Sequence, residues 1–301
     1  MLDAASLSGI IPALPTPVRT DDTVDAAAAA ALFSWLLEQG IDGVVPLGGT
    51  GEYGALARAE RIRMAELSVE AMNGAKPVIA GVLDTGYHDA LQAGREFAGA
   101  GVDALLVLTP YYTNPTQAGI RDYFLRYADQ SPVPIMIYEI PYRTRIAIQP
   151  EVLHELSRHE RIVGMKACNT DMYHFLQTVA GVDESFAVLS GEDSLFPLHV
   201  AAGARGGIVV TANLLPRTWR RMFDLASQGR TREALDLHRQ LMPLMNLAFS
   251  ETNPGPMKSV MDLIGVDAPA VLAPLVKPSA DLESRLRAEL MRQLATSEAA
   301  A

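Results

Sequence analysis

Apolar runs of strand length recur along the chain and alternate with segments of helical period. The runs begin near residues 10, 43, 77, 104, 133, 161, 186 and 206, which makes eight of them, spaced 20 to 34 residues apart. Amphipathic segments such as RAERIRMAELSVEAM at 58–72 lie between them. Strands of a parallel sheet covered on both faces are apolar almost throughout, so this alternation predicts parallel strands joined by helices.

The ends of the predicted helices carry a recurring glycine. Gly40, Gly101 and Gly203 each follow a helical segment and stand a short turn before the next apolar run. Glycine suits the left-handed residue after a helix end, where a Cβ would clash. Eight such units within 1–214 fit a closed ring better than an open sheet, so we predict an α/β fold, a (β/α)8 TIM barrel. Residues 215–301 read as helices only and are predicted to form a C-terminal helical extension packed on the barrel.

The stretch VVPLGGTGEYGAL raises the possibility of a nucleotide site. Gly49, Gly51 and Gly54 fit the G-x-G-x-x-G pattern of a dinucleotide-binding turn. That fingerprint belongs to the first strand of a doubly wound sheet and needs an acid about 20 residues onward at a strand end. Here the glycines follow the second strand, and the corresponding position lies in NGAKP at 73–77. The pattern therefore favours a loop on the catalytic face of a barrel, where backbone N–H groups can hold a carboxylate or a phosphate.

The composition limits the kinds of partner that we expect this protein to bind. The net charge of −10 argues against nucleic acid, because phosphate binding needs clustered Lys and Arg. One Cys and six His give neither a disulfide framework nor zinc spacing, which suits a reducing cytoplasm and predicts no metal. The N-terminus lacks the basic segment of a signal peptide, and the longest apolar stretch, Ala26–Leu37, is shorter than the ~20 residues of a membrane helix. We therefore expect a cytoplasmic protein without a membrane partner.

One predicted strand ends on a lysine, in RIVGMKACNTD at 161–171. A lysine at the carboxyl end of a barrel strand points into the active-site mouth, where burial disfavours the charged ammonium and leaves a free amine able to attack a carbonyl. The alternative is a strand-end lysine paired with an acid at the rim. Lys166 is thus a candidate nucleophile.

The preceding strand supplies two more candidates, in IMIYEIPYRT at 135–144. Tyr138 would lie one strand from Lys166, near enough to relay a proton, and Arg143 offers a planar fork that matches a carboxylate. The alternatives are an interior tyrosine with a satisfied hydroxyl and a solvated arginine. The paired tyrosines of TPYYTNP at 109–115 fit either a site or aromatic packing at an oligomer interface.

We interpret the other reactive side chains as structural rather than catalytic. His154 and His159 lie on one predicted helix and are interpreted as a surface pair rather than as metal ligands. Cys168 is interpreted as a small buried hydrophobe, because no His–acid partners for a nucleophilic thiol are evident.

Motifs at successive strand ends resemble those of one enzyme family. The likeness runs through most of the chain in a fixed order: GIIPALPTPV (9–18), GGTGE, TPYY, YEIPYRT, GMKACNTD, SGED (190–193), GGIVVTAN (206–213) and NPGPMKSVM (253–261). The chain resembles the dihydrodipicolinate synthase / N-acetylneuraminate lyase family of pyruvate-dependent class I aldolases. The resemblance implies a β/α barrel with a C-terminal helical region, and a tetramer built from tight dimers.

The resemblance also implies catalytic roles. Lys166 matches the lysine that forms a Schiff base with the keto carbon of pyruvate or another 2-oxo acid, and Tyr138 matches the proton shuttle. Thr50 matches a threonine that contacts the substrate carboxylate and hydrogen-bonds that tyrosine. Tyr112 matches the tyrosine that reaches across the dimer to complete the relay.

Substrate-binding roles follow in the same way. Gly49 and Thr50 belong to the loop that receives the substrate carboxylate, and Ile208 matches a residue whose backbone touches the bound keto acid. Arg143 matches the arginine that receives the carboxylate of the second substrate in the synthases. The imine is covalent, so no metal and no organic cofactor is expected.

Three positions depart from the synthase pattern. The synthases carry two adjacent hydroxyl residues in the first motif, and the first of these is Gly49 here, as in some 2-oxo-3-deoxy sugar-acid dehydratases of the family. Glu139 stands where Asn is expected, and Thr170 where Gly is expected. We expect the acid beside Tyr138 to alter the pKa of that tyrosine or the preference of the pocket for anions.

The leading hypothesis is a Schiff-base lyase or synthase of the 4-hydroxy-tetrahydrodipicolinate synthase type, condensing pyruvate with an aldehyde such as aspartate semialdehyde. The runner-up is a 2-oxo-3-deoxy sugar-acid aldolase or dehydratase, and the non-enzymatic alternative is a 2-oxo acid binding or regulatory barrel. A cytoplasmic homotetramer, a dimer of dimers, is expected.

Overall fold

One parallel sheet of seven strands forms the centre of the molecule. The computed structural model describes residues 6–299. The strands lie in the order β1-β7-β6-β5-β4-β3-β2, so each strand from β3 to β7 is added beside the one before it, and β7 also pairs with β1. Their bounds are β1 (Gly9–Pro12), β2 (Ile79–Val82), β3 (Ala104–Leu108), β4 (Ile135–Glu139), β5 (Ile162–Ala167), β6 (Ala187–Ser190) and β7 (Gly206–Val209).

A short extended segment closes the sheet between its two edges. Val45 forms a parallel bridge with Ala13, just after β1, and Val44 forms one with Val78, just before β2. These bridges stand where the second of the eight predicted strands was expected. The segment stays short because Leu47 adopts a φ of +64°, which turns the chain out of the extended conformation. The (β/α)8 barrel prediction is confirmed.

Twelve helices surround or extend the barrel in the described part of the chain. Gly40, Gly101 and Gly203 follow the ends of α1, α3 and α8 with φ values of +76°, +98° and +115°, as the sequence predicts. The helix bounds are α1 (Ala26–Glu38), α2 (Arg58–Met72), α3 (Tyr87–Gly99), α4 (Gln117–Gln130), α5 (Pro141–Thr144), α6 (Pro150–Leu156), α7 (Met172–Gly181), α8 (Phe196–Ala201), α9 (Pro216–Ser227), α10 (Thr231–Ala248), α11 (Gly255–Lys258) and α12 (Ala280–Ala299).

The C-terminal helices pack on one side of the barrel. α9 lies against β1 and α8, where Trp219 meets Phe196 edge to face at 5.1 Å between ring centroids. α10 packs on α8 and α9, and α12 packs on α10. The helical extension is confirmed, and the boundary between residues 214 and 215 stays a prediction. No helix between residues 6 and 299 is long and apolar enough to span a membrane.

Candidate active site

A cavity of about 490 Å³ opens at the carboxyl ends of the strands. Five of the predicted site residues line it: Gly49, Thr50, Tyr138, Arg143 and Lys166. They come from the loop after the Val44–Val45 bridges, from β4 and the helix after it, and from β5. Residues far apart in sequence therefore meet at the face where β/α barrels carry their chemistry.

Lys166 and Tyr138 form the centre of the cavity. They are register partners on β5 and β4, and the Lys166 Nζ lies 4.7 Å from the centroid of the Tyr138 ring. Lys166 is 6 % exposed, and no carboxylate in the described chain forms an ion pair with it. The rim ion pair considered from sequence is therefore absent among residues 6–299. Burial raises the pKa of Tyr138 above its usual value of 10.

A glycine lets the neighbouring turn press against the lysine. A Cβ at Gly191 would lie 2.7 Å from Cγ and 3.0 Å from Cε of Lys166, and 2.2 Å from Sγ of Cys168. No side chain fits there, so the glycine of the SGED motif permits this close approach. Sequence reasoning quoted the motif but assigned no role to Gly191 or to Glu192, which also lines the cavity.

Thr50 is held by a residue from the C-terminal part of the chain. Nδ2 of Asn253 donates a hydrogen bond of 2.9 Å to Oγ1 of Thr50, and Asn253 itself lines the cavity. Sequence reasoning missed Asn253 as a site residue, although it opens the quoted NPGPMKSVM motif. The nearest atom to a Cβ at Gly49 would be the Tyr138 hydroxyl oxygen at 3.9 Å, so the missing first hydroxyl of the motif leaves open space beside that tyrosine.

The rest of the glycine motif has a structural explanation. A Cβ at Gly51 would lie 2.8 Å from the backbone nitrogen of Leu47, which explains a glycine in this tight turn. The next residue, Glu52, is fully buried, pairs with Nζ of Lys258 at 2.7 Å and accepts the N–H of Leu272 at 2.6 Å. The loop is thus tied to the C-terminal region. That its N–H groups receive a carboxylate stays a prediction.

Arg143 stands at the mouth of the cavity on α5. It is exposed and forms no ion pair with any described residue, and its Cζ lies 5.9 Å from the centroid of the Tyr142 ring. An unpaired guanidinium beside a buried amine suits a ligand with two separated anionic or carbonyl groups.

Two predicted site residues do not line the cavity of this single chain. Tyr112 is 88 % exposed and has a φ of +71°, a conformation that costs free energy for an aromatic residue. Ile208 is fully buried in β7 opposite Ile11, and Val210, two residues on, lines the cavity instead. The roles assigned to both from sequence stay predictions.

Glu139 does not stand where the sequence led us to expect an effect on Tyr138. Its Oε1 accepts the N–H of Ile148 at 3.0 Å and lies 3.8 Å from Nε2 of His174. Alternation along β4 turns it away from the cavity, which it does not line. Burial raises the pKa of Glu139 itself. The other departure, Thr170, is exposed beyond β5.

Among the remaining reactive side chains, Cys168 is buried as predicted, whereas the two histidines do not share a helix. Cys168 is buried, its thiol donates to the carbonyl of Gly191 at 3.2 Å, and burial raises its pKa to about 12, so it is no thiolate nucleophile. His154 lies on α6, but that helix ends at Leu156 and His159 follows it, so the prediction of one shared helix is wrong. His154 contacts the carbonyl of Gln177, and His159 contacts the carboxylate of Asp129. Within residues 6–299, no three His, Cys, Asp or Glu side chains cluster as metal ligands would.

Comparison with known proteins agrees with this geometry. The model of the Dihydrodipicolinate synthetase family matches residues 6–294. The 4-hydroxy-tetrahydrodipicolinate synthase of Methanothrix thermoacetophila is 35% identical over 282 residues, 93% of this chain and 94% of the relative. The enzyme of the same name from Methanopyrus kandleri is 36% identical over 289 residues, 95% of this chain and 96% of the relative.

Solved structures give the same result. The crystal structure of dihydrodipicolinate synthase from Aquifex aeolicus has a TM-score of 0.91 and 34% identity, covering 96% of this chain and 98% of that one. A dihydrodipicolinate synthase variant described as monomeric has a TM-score of 0.92 and 28% identity, covering 96% and 97%. With these matches along nearly its whole length, the chain belongs to the dihydrodipicolinate synthetase family.

Proposed function

We propose that the protein is a Schiff-base lyase or synthase that acts on pyruvate or another 2-oxo acid. The observation that carries the proposal is the buried, unpaired amine of Lys166 beside Tyr138 in a cavity that also holds Thr50 and Arg143. The names of the relatives point the same way, toward condensation of the 4-hydroxy-tetrahydrodipicolinate synthase type.

The chemistry begins with attack of the neutral Lys166 amine on C2 of the 2-oxo acid. The resulting carbinolamine loses water to give an iminium, whose positive nitrogen draws electrons from C3. Loss of a C3 proton then gives an enamine, which adds to the carbon of an aldehyde. Tyr138, within reach of the same atoms, is proposed to move protons in these steps.

The surrounding residues orient the two substrates. Thr50, fixed by Asn253, is proposed to hold the carboxylate of the 2-oxo acid together with the Gly49 loop and the backbone of Ile208. Arg143 at the mouth suits the carboxylate of aspartate semialdehyde as second substrate. No step requires a metal or an organic cofactor.

The proposed active site also includes a residue from a second copy of the chain. Tyr112 is nearly fully exposed with strained backbone, which fits a side chain that inserts into the active site of a neighbouring protomer. We propose a cytoplasmic homotetramer made of two such dimers.

A second candidate function rests on Gly49. The open space beside the Tyr138 hydroxyl can receive a hydroxyl of a 2-oxo-3-deoxy sugar acid, which the enzyme would cleave or dehydrate through the same imine. The non-enzymatic alternative is a barrel that binds a 2-oxo acid without turnover.

Reductive trapping tests the imine. Borohydride added with pyruvate should give a covalent adduct on Lys166 by intact mass and peptide mapping. Lys166→Ala should give none, while Lys277→Ala, which removes an exposed lysine, should trap like the parent protein. If no 2-oxo acid gives an adduct, the result would contradict the proposal.

A panel of activity assays then distinguishes between the candidate substrates. Pyruvate consumption with aspartate semialdehyde supports the synthase, and pyruvate release or formation of 2-oxoglutarate semialdehyde supports the sugar-acid reactions. Trapping without turnover of any of them supports the binding protein.

A further inference from the structure

The SGED turn places a further titratable group in the cavity that holds the reactive lysine. Gly191 presses on the Lys166 stem, and the next residue, Glu192, lines the same cavity. Oγ of Ser194 donates a 2.8 Å hydrogen bond to Oε1 of Glu192, while the other carboxylate oxygen has no partner among residues 6–299. The hydrogen bond at Oε1 thus fixes the Glu192 carboxylate, and its other oxygen is available to a ligand.

The turn is rigid on both sides of Glu192. The carboxylate of Asp193 is buried and accepts three hydrogen bonds from the end of β7: the N–H of Val210 at 3.0 Å, and the N–H and hydroxyl of Thr211 at 2.8 and 2.7 Å. On the other side, Oγ of Ser190 lies 2.8 Å from Nδ1 of His199, a fully buried imidazole. Glu192 is therefore presented by a turn with little freedom to move.

Tyr138 alone is poorly suited to carry every proton of the reaction. Its hydroxyl makes no hydrogen bond among residues 6–299. Gly49 provides no hydroxyl beside it, and Thr50, expected to bond this tyrosine, accepts a hydrogen bond from Asn253 instead. Burial also raises the pKa of Tyr138 above that of an ordinary phenol, which makes it a weak acid near neutrality. A carboxyl group whose pKa burial raises above the usual 4.5, as for Glu192, is better matched to neutral pH.

Given the proposed imine chemistry at Lys166, we propose that Glu192 is a further catalytic residue, which protonates the hydroxyl on C2 of the carbinolamine and removes a proton from C3. Its carboxyl proton goes to the carbinolamine hydroxyl, which leaves as water while the nitrogen lone pair forms the C=N bond of the iminium. The Glu192 carboxylate then takes a proton from C3, and the C–H electron pair forms the enamine double bond. The carboxyl group is regenerated, so the cycle balances.

The charged and titratable groups around the cavity set the pH dependence. Burial is the largest influence on Glu192 and raises its pKa. The hydrogen bonds from Ser194 lower this pKa, the Asp193 carboxylate raises it, and Lys166 lowers it. The dehydration step needs the protonated carboxyl, so its rate should fall as pH rises through the Glu192 pKa. The groups that line the cavity with Glu192 are Tyr138, Tyr142, Arg143, Lys166, Cys168, Asp193 and Glu251.

Glu192→Gln tests the role, because it keeps the shape and removes the proton. We expect the rate of borohydride-trapped imine formation with pyruvate to fall about 10- to 100-fold, and the falling limb of its pH profile to disappear. Exchange of the C3 protons of pyruvate for deuterium, followed by NMR in D2O, should slow by at least the same factor. Glu151→Gln on the exposed face of α6 removes the same charge and should change neither rate.

Glu192→Asp keeps a titratable carboxyl and should retain the limb at a shifted pH, which also guards against misfolding of the Gln variant. Wild-type imine formation and C3 exchange in Glu192→Gln, with an unchanged pH profile, would overturn the inference. If the unmodified protein gives no adduct, it is the imine at Lys166 that fails, and this result is distinct from a failure of Glu192 alone.

Discussion

At the scale of single residues, the site is built by what lies directly against Lys166. The amine stands over the Tyr138 ring, and the lysine stem runs along the α-carbon of Gly191. The position of the nucleophile is therefore fixed by packing rather than by an ion pair. We therefore expect small changes of side-chain volume beside Lys166 to change the rate of imine formation.

Gly191→Ala probes this packing. The new methyl group would overlap the Lys166 stem and the Cys168 sulfur, so one of them must move. We expect imine formation to slow at least about 10-fold and the free energy of unfolding to drop by about 1–3 kcal/mol. Urea unfolding and borohydride trapping measure the two effects.

Gly99→Ala serves as the matched control, because a Cβ there has no neighbour within 4 Å in the described part of the chain. If Gly191→Ala traps pyruvate at the parental rate, packing on Gly191 does not position the lysine.

The residues that the sequence could predict are those at strand ends. Lys166 and Tyr138 each close an apolar run, and parallel strands bring their carboxyl ends to one face, so their meeting follows from the pattern. Asn253 and Glu192 were not predicted as site residues, because their role depends on how a distant segment or a turn packs. The outward direction of Glu139 was also missed, although the alternation of side chains along a strand contains that information.

At the scale of elements, a buried imidazole on helix α8 joins that helix to the end of β6. His199 stacks on Phe175 with 3.9 Å between centroids and 8° between planes, and bonds Ser190 through Nδ1. Its Nε2 has no hydrogen-bond partner among residues 6–299. Burial lowers the pKa of His199 to about 4, so the folded protein holds this ring neutral.

His199→Phe should make the fold less sensitive to mild acid. Because the folded pKa lies below the unfolded value of 6.5, the unfolded state binds the proton first, and stability is lost as pH falls from 6.5 toward 4. Between pH 6.5 and 5 this group alone should cost the parent protein about 1.5 kcal/mol, and the phenylalanine variant should be spared that loss.

Urea unfolding at the two pH values, at equal protein concentration, measures the difference. The pKa of His238 is also lowered by burial, but that residue is present in both proteins and cancels. Equal acid losses in the two proteins would contradict the prediction.

The buried pair of Glu52 and Lys258 joins the first motif loop to α11. Lys258→Met should leave the Glu52 carboxylate buried without its cation and lower the free energy of unfolding by about 3–5 kcal/mol. Arg285→Gln, which breaks an exposed pair with Asp281, should cost less than about 1 kcal/mol. Similar losses for the two variants would show that the buried pair is not what holds the loop.

At the scale of the whole molecule, the alternation of apolar runs was sufficient to predict the barrel. The second of the eight predicted strands is reduced to bridges, because a left-handed Leu47 ends it early. Backbone conformation of this kind is not readable from hydrophobic pattern.

Tyr112→Phe tests whether a second copy completes the site. Loss of one hydroxyl from the proton relay should lower turnover about 10- to 10³-fold, while trapping at Lys166 survives because nucleophilic attack does not need Tyr112. Activity should require the dimer. Tyr173→Phe, at another exposed tyrosine on α7, is the control. A fully active monomer, or a Tyr112→Phe protein with parental turnover, would limit Tyr112 to packing.

The contacts between the motif loop and the C-terminal region also impose an order in time. When the ribosome has delivered residue 214, every strand of the barrel and Lys166 have been made, but the partners of Thr50 and Glu52 have not: Asn253, Lys258 and Leu272 are still to come. A nascent chain at that stage carries the nucleophile and the loop, but not the contacts that hold the loop in place. We therefore expect the barrel strands to be complete before the substrate loop is fixed, so that a chain stopped at this length should show weaker trapping of pyruvate at Lys166 than the full chain.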